Sequence, residues 1–211
     1  LKPLILEQSI PTIQKYISTS ELSYKQLVQW YLYRIALYEN DSATALNNII
    51  AINTDAVKEA TQKDEDRAND KRHQIYGMPI FLKDNINAEG FRTTAGAAVL
   101  QDNKTGDAFI TRQLKENGAI ILGKANLSEW ANFLCDGCPN GYSAVGGQTL
   151  NPYGPRKFDT GGSSSGSGST VAANYAVAAV GTETSGSILS PSSAQSVVGL
   201  KPTTGLLSRS G

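Results

Sequence analysis

The chain has 211 residues, with nineteen basic and nineteen acidic side chains and therefore no net charge. This balance gives no electrostatic reason to expect a nucleic acid or an anionic membrane as a partner, and no apolar run is long enough to span a bilayer. Apolar residues make up 40% of the sequence, as is typical of folded globular proteins. This length suits an α/β protein, and we expect residues 1–211 to lie in one domain.

The first part of the chain is predicted to be mainly helical. The segment Ser18–Glu21 has the form of a capping box and predicts the start of a helix that runs to about Tyr38. The apolar residues of this helix recur at helical spacing: Tyr24, Leu27, Val28, Tyr31, Ile35 and Tyr38. The apolar run Asn48–Ile52 predicts a strand, and the polar segment from Thr54 to about Lys71 predicts a solvated surface helix.

The middle of the chain predicts a parallel strand–helix–strand unit. The continuous apolar runs Met78–Leu82 and Ala119–Leu122 are typical of buried strands. Between them lies a helical pattern that we expect Asp107 to cap and Asn117–Gly118 to end. Two strands joined by a helix at this spacing favour a parallel crossover.

Glycine and serine dominate the last part of the chain. The pattern predicts a short helix over Asn126–Phe133 and a long irregular loop over Gly137–Gly168. A helix packed through small residues is expected to start at Ser169. Strands are predicted at Ala176–Val180 and Val197–Leu200.

The cysteines, Cys135 and Cys138, form a Cys-x-x-Cys pattern. This spacing is compatible with a redox pair or with half of a zinc site. The chain's one histidine, His73, lies far upstream in a polar stretch, so we predict two free thiols in a loop and no metal site. The scarcity of cysteine fits a reducing compartment or a protein with no need of disulfides. We expect a cytoplasmic location.

Two serine-rich turns, Gly161–Ser169 and Gly181–Ser187, carry candidate nucleophiles. The Gly-x-Ser-x-Gly pattern around Ser164 matches the nucleophile elbow of α/β-hydrolases, but that site requires a later histidine. No histidine follows Ser164. The first turn also lacks the lysine of a Walker phosphate loop, so the sequence does not predict a nucleotide site.

A serine hydrolase without a usable histidine needs another base, and lysine is the chemical alternative. An ordinary lysine pKa leaves only about one amine in a few thousand neutral at pH 7, so burial has to lower it. Lys83 directly follows the apolar run Pro79–Leu82, at a strand end of the kind where α/β sheets place their sites. The local pattern leaves open that Lys83 pairs with Asp84, and Lys124 and Lys201 also follow apolar runs.

Several motifs together resemble the amidase signature family, and the resemblance covers nearly the whole chain from the first predicted helix onward. In chain order these motifs are Gly77–Asn85, Gly123–Glu129, Gly161–Ser167, Gly181–Ile188 and Val198–Thr203. Two more segments, Leu127–Phe133 and Gly147–Tyr153, resemble the peptide amidase branch. The resemblance implies an α/β amidase signature fold, with a mixed sheet flanked by helices on both faces.

The resemblance also implies a Ser-cis-Ser-Lys triad that hydrolyses linear carboxylic amides, small-molecule or peptide, without a metal or organic cofactor. Lys83 would be the base, and Ser163, joined to Gly162 by a cis bond, would relay the proton. Ser187 would be the nucleophile that forms the acyl-enzyme. Further residues implied to bind the oxyanion or the substrate are Thr184, Ser185, Gly186 and Ala131.

Three departures from the family pattern bear on function. Ser185 stands where the family usually has glycine, which narrows the site. Leu189 stands where glutamine amidotransferase subunits usually carry an arginine, so the sequence favours hydrolysis of a less charged amide. Family members also continue well past the motif that ends at Thr203. We therefore expect an N-terminal portion of the fold, which needs the remainder of its own chain and could be inactive alone.

Two alternatives stay open. One is the glutamine-hydrolysing subunit of a tRNA-dependent amidotransferase, which shares the chemistry. The other, of a different class, is a catalytically inert fragment or binding module.

Overall fold

A computed structural model describes residues 1–66 and 73–211 of the protein. The α-helices are α1 (Lys2–Ile5), α2 (Ile10–Ser18), α3 (Tyr24–Glu39), α4 (Ala56–Glu65), α5 (Phe109–Glu116), α6 (Ser165–Ala172) and α7 (Leu189–Ala194). The strands are β1 (Ile49–Ile52), β2 (Pro79–Lys83), β3 (Ile120–Ala125), β4 (Tyr142–Ser143), β5 (Gly147–Gln148) and β6 (Ala178–Val180). Short 3₁₀ turns cover Ala98–Leu100 and Glu129–Asn132.

The main sheet is mixed and has the strand order β1-β3-β2-β6. β2 pairs in parallel with β3 and with β6, whereas β1 pairs antiparallel with β3. The predicted parallel unit is therefore confirmed as β2–α5–β3. Both β2 and β3 are buried along their whole length, which explains their continuous apolar runs.

Helices cover both faces of this sheet, as the fold class predicted. Successive side chains of a strand point to opposite faces. Phe81 belongs to the larger core, which also holds residues of α2, α3 and α4, whereas its neighbour Leu82 belongs to a second core. Ile110 and Leu114 of α5 pack against that second core. The sheet is thus the central layer of an α/β fold.

The N-terminal helices differ from the sequence prediction in where they begin. Ser18 ends α2, and α3 starts after Ser23. The capping box is formed by Ser23 and Gln26: the Gln26 N–H donates to Ser23 Oγ at 3.1 Å, and the Ser23 N–H donates to Gln26 Oε1 at 3.0 Å. The predicted box at Ser18–Glu21 is therefore wrong. In α4, residues 67–71 of the predicted helix lie outside the described residues.

Three predictions in the second half also need correction. Asp107 does not cap α5, because its carboxylate accepts hydrogen bonds from the Glu89 N–H and the Lys115 amine instead. The helix expected from Ser169 begins earlier, at Ser165. The segment Val197–Leu200 forms no strand, and its apolar side chains Val198 and Leu200 are exposed.

The early start of α6 follows from close packing. Gly166 donates its N–H to the Asn126 carbonyl at 3.0 Å. A methyl group at Gly166 would overlap the backbone of Asn126 and the carbonyl of Asn48. The serine–glycine run is therefore a buried helix rather than a flexible linker. Within the parts of the chain that the structure describes, no helix is both long and apolar enough to cross a membrane.

Candidate active site

The carboxyl ends of three parallel strands meet at one edge of the sheet. β2 ends at Lys83, β3 at Ala125 and β6 at Val180. Leu82 of β2 lies opposite Lys124 on one side and opposite Val180 on the other. Open α/β sheets place their sites at this edge. The strand pairing alone therefore brings Lys83 next to the serine turn that follows β6.

Ser163 lies two residues before the start of α6, and the Gly162–Ser163 peptide bond is cis. Its hydroxyl accepts a hydrogen bond from the Lys83 amine, with Nζ and Oγ 2.7 Å apart. Its carbonyl accepts from the Ser128 N–H at 3.0 Å. A methyl group at Gly162 would overlap Asn140 Oδ1 and Ser128 Oγ, so a larger residue there would displace these two side chains. Ser163 is thus fixed through its hydroxyl by Lys83 and through its carbonyl by Ser128.

Lys83 is fully buried, with 0% of its surface exposed. Besides Ser163, its amine meets the hydroxyl oxygen of Thr182 at 2.9 Å and the Thr182 carbonyl at 3.3 Å. The Asn85 side-chain amide donates to the same Thr182 hydroxyl at 3.0 Å. Burial lowers the pKa of Lys83 from 10.5 to about 7, against the opposing effect of the Glu183 charge. Near neutral pH a far larger fraction of this amine is therefore uncharged than for an ordinary lysine.

The second buried lysine, Lys124, has a charged partner. Its amine lies 3.5 Å from Asp84 Oδ1, and both side chains are fully buried. The other oxygen of Asp84 accepts hydrogen bonds from the N–H and the hydroxyl of Thr94. The possibility that Lys83 pairs with Asp84 is therefore not realised. The third lysine that the sequence left open, Lys201, is exposed.

Ser187 lies at the end of the second serine turn, two residues before the start of α7, and is partly buried. Its carbonyl accepts from the Ser164 N–H at 3.1 Å, which ties this turn to the residue after Ser163. Among residues 1–66 and 73–211, no hydrogen bond joins the hydroxyl groups of Ser163 and Ser187. Of the three predicted triad side chains, two are in direct contact and the third lies on the adjoining turn.

The turn over Thr184–Gly186 opens toward solvent. Thr184 and Ser185 are both exposed, and a methyl group at Gly186 would meet no atom within 4 Å. In the described part of the chain, the N–H groups of Ser185 and Ser187 find no intramolecular acceptor. The turn therefore carries two backbone donors without an acceptor among the described residues, one of them on Ser187 itself.

Ala131 lies in a left-handed turn. Trp130, Ala131 and Asn132 have φ angles of 52°, 55° and 68°. This conformation costs about 1–2 kcal/mol for each residue other than glycine. Hydrogen bonds of 2.9 Å from the Trp130 N–H to the Ala95 carbonyl and from the Ala131 N–H to the Ser128 carbonyl hold it. Strained backbone of this kind is concentrated at functional sites.

Cys135 and Cys138 form a disulfide, so the prediction of two free thiols is wrong. The two intervening residues bring their Cα atoms to 5.7 Å, a separation that a disulfide readily spans. Both cysteines are exposed, in the loop between Asn132 and Asn140. Across the described ranges, no group of three or more His, Cys, Asp or Glu side chains is arranged to hold a metal ion.

Sequence reasoning missed the contribution of three polar residues around Lys83: Asn85, Thr182 and Glu183. Thr182 and Glu183 directly follow the glycine after β6, and Asn85 follows β2 by two residues. Their position after parallel strands was the available signal.

Comparison with known proteins agrees with the family resemblance of the sequence motifs. The family model for Amidase matches residues 26–211. The chain belongs to the Amidase family. A probable amidase of Arabidopsis thaliana is 42% identical over an alignment of 212 positions, covering 98% of this chain and 40% of the relative. The chain thus spans less than half the length of this curated member of the family.

Two further Amidase-family comparisons bear on function. The structure of the peptide amidase PAM in complex with the competitive inhibitor chymostatin superposes with a TM-score of 0.93 and 45% identity, covering 98% of this chain and 42% of PAM. One subunit of the glutamyl-tRNA(Gln) amidotransferase of Maridesulfovibrio salexigens is 37% identical over 208 residues, covering 98% of this chain and 41% of the relative. The resemblance to amidases and to the peptide amidase is therefore confirmed.

Proposed function

We propose that the protein hydrolyses the C–N bond of a linear carboxylic amide through an acyl-serine on Ser187, with Ser163 and Lys83 as the proton path. The observation that carries the proposal is the 2.7 Å contact between Lys83 Nζ and Ser163 Oγ. Burial brings the pKa of this amine to about 7, and a general base is most effective when its pKa lies near the working pH.

The proposed reaction has two halves. Ser187 Oγ attacks the amide carbonyl carbon while its proton passes to Ser163 Oγ and the Ser163 proton passes to neutral Lys83. The proton then returns through Ser163 to the amide nitrogen as the C–N bond breaks, which leaves an ester on Ser187. Water then attacks this ester while its proton passes through Ser163 to Lys83. The proton returns to Ser187 Oγ as the carboxylic acid leaves, so Lys83, Ser163 and Ser187 regain their starting protonation states.

This mechanism requires the Ser163 and Ser187 hydroxyl groups to come within hydrogen-bonding distance. Catalytic hydrogen bonds are often long in the free enzyme and tighten when substrate binds. The bond from the Ser164 N–H to the Ser187 carbonyl supports this step, because it keeps the two turns side by side.

The oxyanion would be bound by the backbone of the turn Thr184–Gly186 together with the Ser187 N–H. Donors aimed at a developing oxyanion typically contribute about 3–4 kcal/mol to the transition state. The N–H groups of Ser185 and Ser187, which have no acceptor among the described residues, support this assignment. Ala131, in its left-handed turn, would contribute a backbone contact to the substrate.

We propose a small-molecule or peptide amide as the substrate. The similarity to PAM, which binds the competitive inhibitor chymostatin, supports this class. No metal or organic cofactor takes part in the proposed steps, because Lys83 and the two serines supply every proton transfer.

The second candidate function is glutamine hydrolysis in a tRNA-dependent amidotransferase, which the 37% identity to one subunit of such an enzyme supports. Leu189 weakens it, because an apolar side chain two residues after Ser187 cannot pair with a glutamine carboxylate. Glutaminase activity that depends on partner subunits would favour this function. Turnover of small aryl or peptide amides by the full-length protein alone would favour the first.

We also propose that further chain packs on the region after α7. Val198 is fully exposed, and Leu200 and Leu206 are 79% and 72% exposed. Apolar side chains in such a group usually face a partner surface. Assays should therefore use the full-length protein.

The proposal is tested by labelling full-length protein with a fluorophosphonate probe and locating the modified serine by peptide mass. We expect the label on Ser187, no label in Ser187→Ala, and unchanged label in the matched variant Ser193→Ala, which alters an exposed serine of α7. If wild-type protein takes no label and Ser187→Ala changes no turnover, the inert binding module is the better description.

A further inference from the structure

Glu183 lies between the residue that contacts Lys83 and the turn that carries Ser187. Its neighbour Thr182 meets the Lys83 amine through both its hydroxyl and its carbonyl. The Glu183 carboxylate reaches in the other direction along the chain. Its Oε2 atom accepts hydrogen bonds from the N–H of Ile188 at 2.7 Å and of Leu189 at 2.9 Å.

These two bonds close the turn around Ser187. The first N–H groups of a helix have no partner within the helix, and the N-cap residue of α7, Ile188, supplies no side-chain cap. Glu183 takes that role from five residues upstream. The Ser190 N–H, bonded to the Gly186 carbonyl at 2.7 Å, tightens the same turn. The Glu183 carboxylate thus binds the two backbone N–H groups that directly follow Ser187.

The carboxylate also acts on Lys83 through its charge. Its effect raises the pKa of Lys83, opposite to the larger effect of burial. Burial raises the pKa of Glu183 itself, but the N–H groups of Leu189, Ile188 and Gly186, together with the Lys201 charge, hold it below its ordinary value. Asp84, the residue after Lys83, is paired with Lys124 at 3.5 Å.

We propose that Glu183 is a positioning residue that holds the Ser187 turn in register with Lys83 and Ser163. The inference rests on the proposed amide hydrolysis. In that reaction Glu183 makes no hydrogen bond to Lys83 or to the reacting atoms. It acts through the two backbone N–H groups that follow Ser187 and through its charge on Lys83. A residue that only stabilised α7 would change the free energy of unfolding and leave the pH dependence of turnover unaltered.

The test compares Glu183→Gln and Glu183→Ala with Glu89→Gln in the full-length protein. Glu89 is exposed, and its substitution makes the same change in net charge away from the site. In Glu183→Ala we expect kcat to fall about a hundredfold, because the turn loses its anchor and small misplacements are costly. We expect KM to change much less. Amide hydrogen exchange at Ile188 and Leu189 should become faster.

Glu183→Gln keeps an oxygen acceptor and removes the charge. We expect its kcat to stay within about tenfold of wild type. The acid limb of its pH–rate profile should move to lower pH, because the Lys83 ammonium loses a stabilising charge. Glu89→Gln should reproduce the wild-type profile. If Glu183→Ala fails to fold, the shifted limb in Glu183→Gln still decides the question.

Wild-type kcat and wild-type exchange in Glu183→Ala, or a pH–rate profile in Glu183→Gln that overlies the wild type, would overturn the proposal. The failure of the proposed function looks different. In that case wild-type protein itself shows no turnover and no labelled Ser187. The only remaining test of whether Glu183 holds the turn is then amide hydrogen exchange at Ile188 and Leu189 in Glu183→Ala.

Discussion

Lys83 and Lys124 lie at the ends of adjacent parallel strands, and both are fully buried. Burial lowers the pKa of each. The two differ in their partners: Lys124 faces the Asp84 carboxylate, whereas Lys83 meets the oxygens of Ser163 and Thr182. A buried strand end is thus not enough to make a lysine a base. What matters is that no carboxylate among the described residues bonds to the Lys83 amine.

The largest expected effects separate the two lysines. We predict that Lys83→Met lowers kcat by about 10⁴-fold or more, because the proton of Ser187 loses its acceptor. Lys124→Met should instead lower the free energy of unfolding by about 3–5 kcal/mol, since it leaves Asp84 buried and unpaired. Turnover and denaturant unfolding of both variants provide the check. A folded Lys124→Met protein without activity, beside an active Lys83→Met, would reverse the assignment.

The two serines should differ in a similar way. We expect Ser187→Ala to have no measurable turnover, because no atom remains to form the acyl-enzyme. Ser163→Ala should retain a small residual activity, since the nucleophile and the backbone donors of the turn stay in place. Steady-state assays with a sensitive aryl amide measure both. Full activity in Ser163→Ala would exclude the relay.

The buried amine should also destabilise the fold in a pH-dependent way. The pKa of Lys83 is about 7 in the folded protein and 10.5 ordinarily, so between these values the unfolded chain binds more protons. The resulting cost of about 5 kcal/mol is fully present below pH 7 and disappears as the pH rises through 10.5. Wild-type stability should therefore rise with pH relative to Lys83→Met across this window. Parallel stability curves for the two proteins would contradict this.

The pH dependence of turnover should follow the same group. Because only the neutral amine accepts a proton, we predict that kcat/KM rises about tenfold per pH unit below about pH 7 and levels off above it. The Lys124→Met variant should show the same limb. An acid limb near about pH 4 would point to a carboxylate base and remove the distinction between the two lysines.

The sequence was informative where a local pattern decides the structure. The β2–α5–β3 unit follows from apolar runs and helix-ending residues that are close in sequence, and Lys83 at the end of β2 follows with it. The family motifs located both serine turns. These parts of the site needed no knowledge of contacts across the fold.

Other parts depend on contacts between residues far apart in the chain. Asp84 pairs with a lysine forty residues away, so the local pattern could not separate Lys83 from Lys124. Asp107 bonds to Lys115 instead of capping α5, and α6 starts early because Gly166 packs on the Asn126 backbone. In each case tertiary packing overrides a weak local propensity.

The account depends most on the uncharged state of one buried amine. Selective ¹³C labelling of the lysine Cε atoms, with NMR titration of the full-length protein and assignment by Lys83→Met, measures it directly. We predict that the Lys83 signal titrates near pH 7. A Lys83 that stays protonated up to its ordinary value of 10.5 in a folded, active protein would contradict the mechanism.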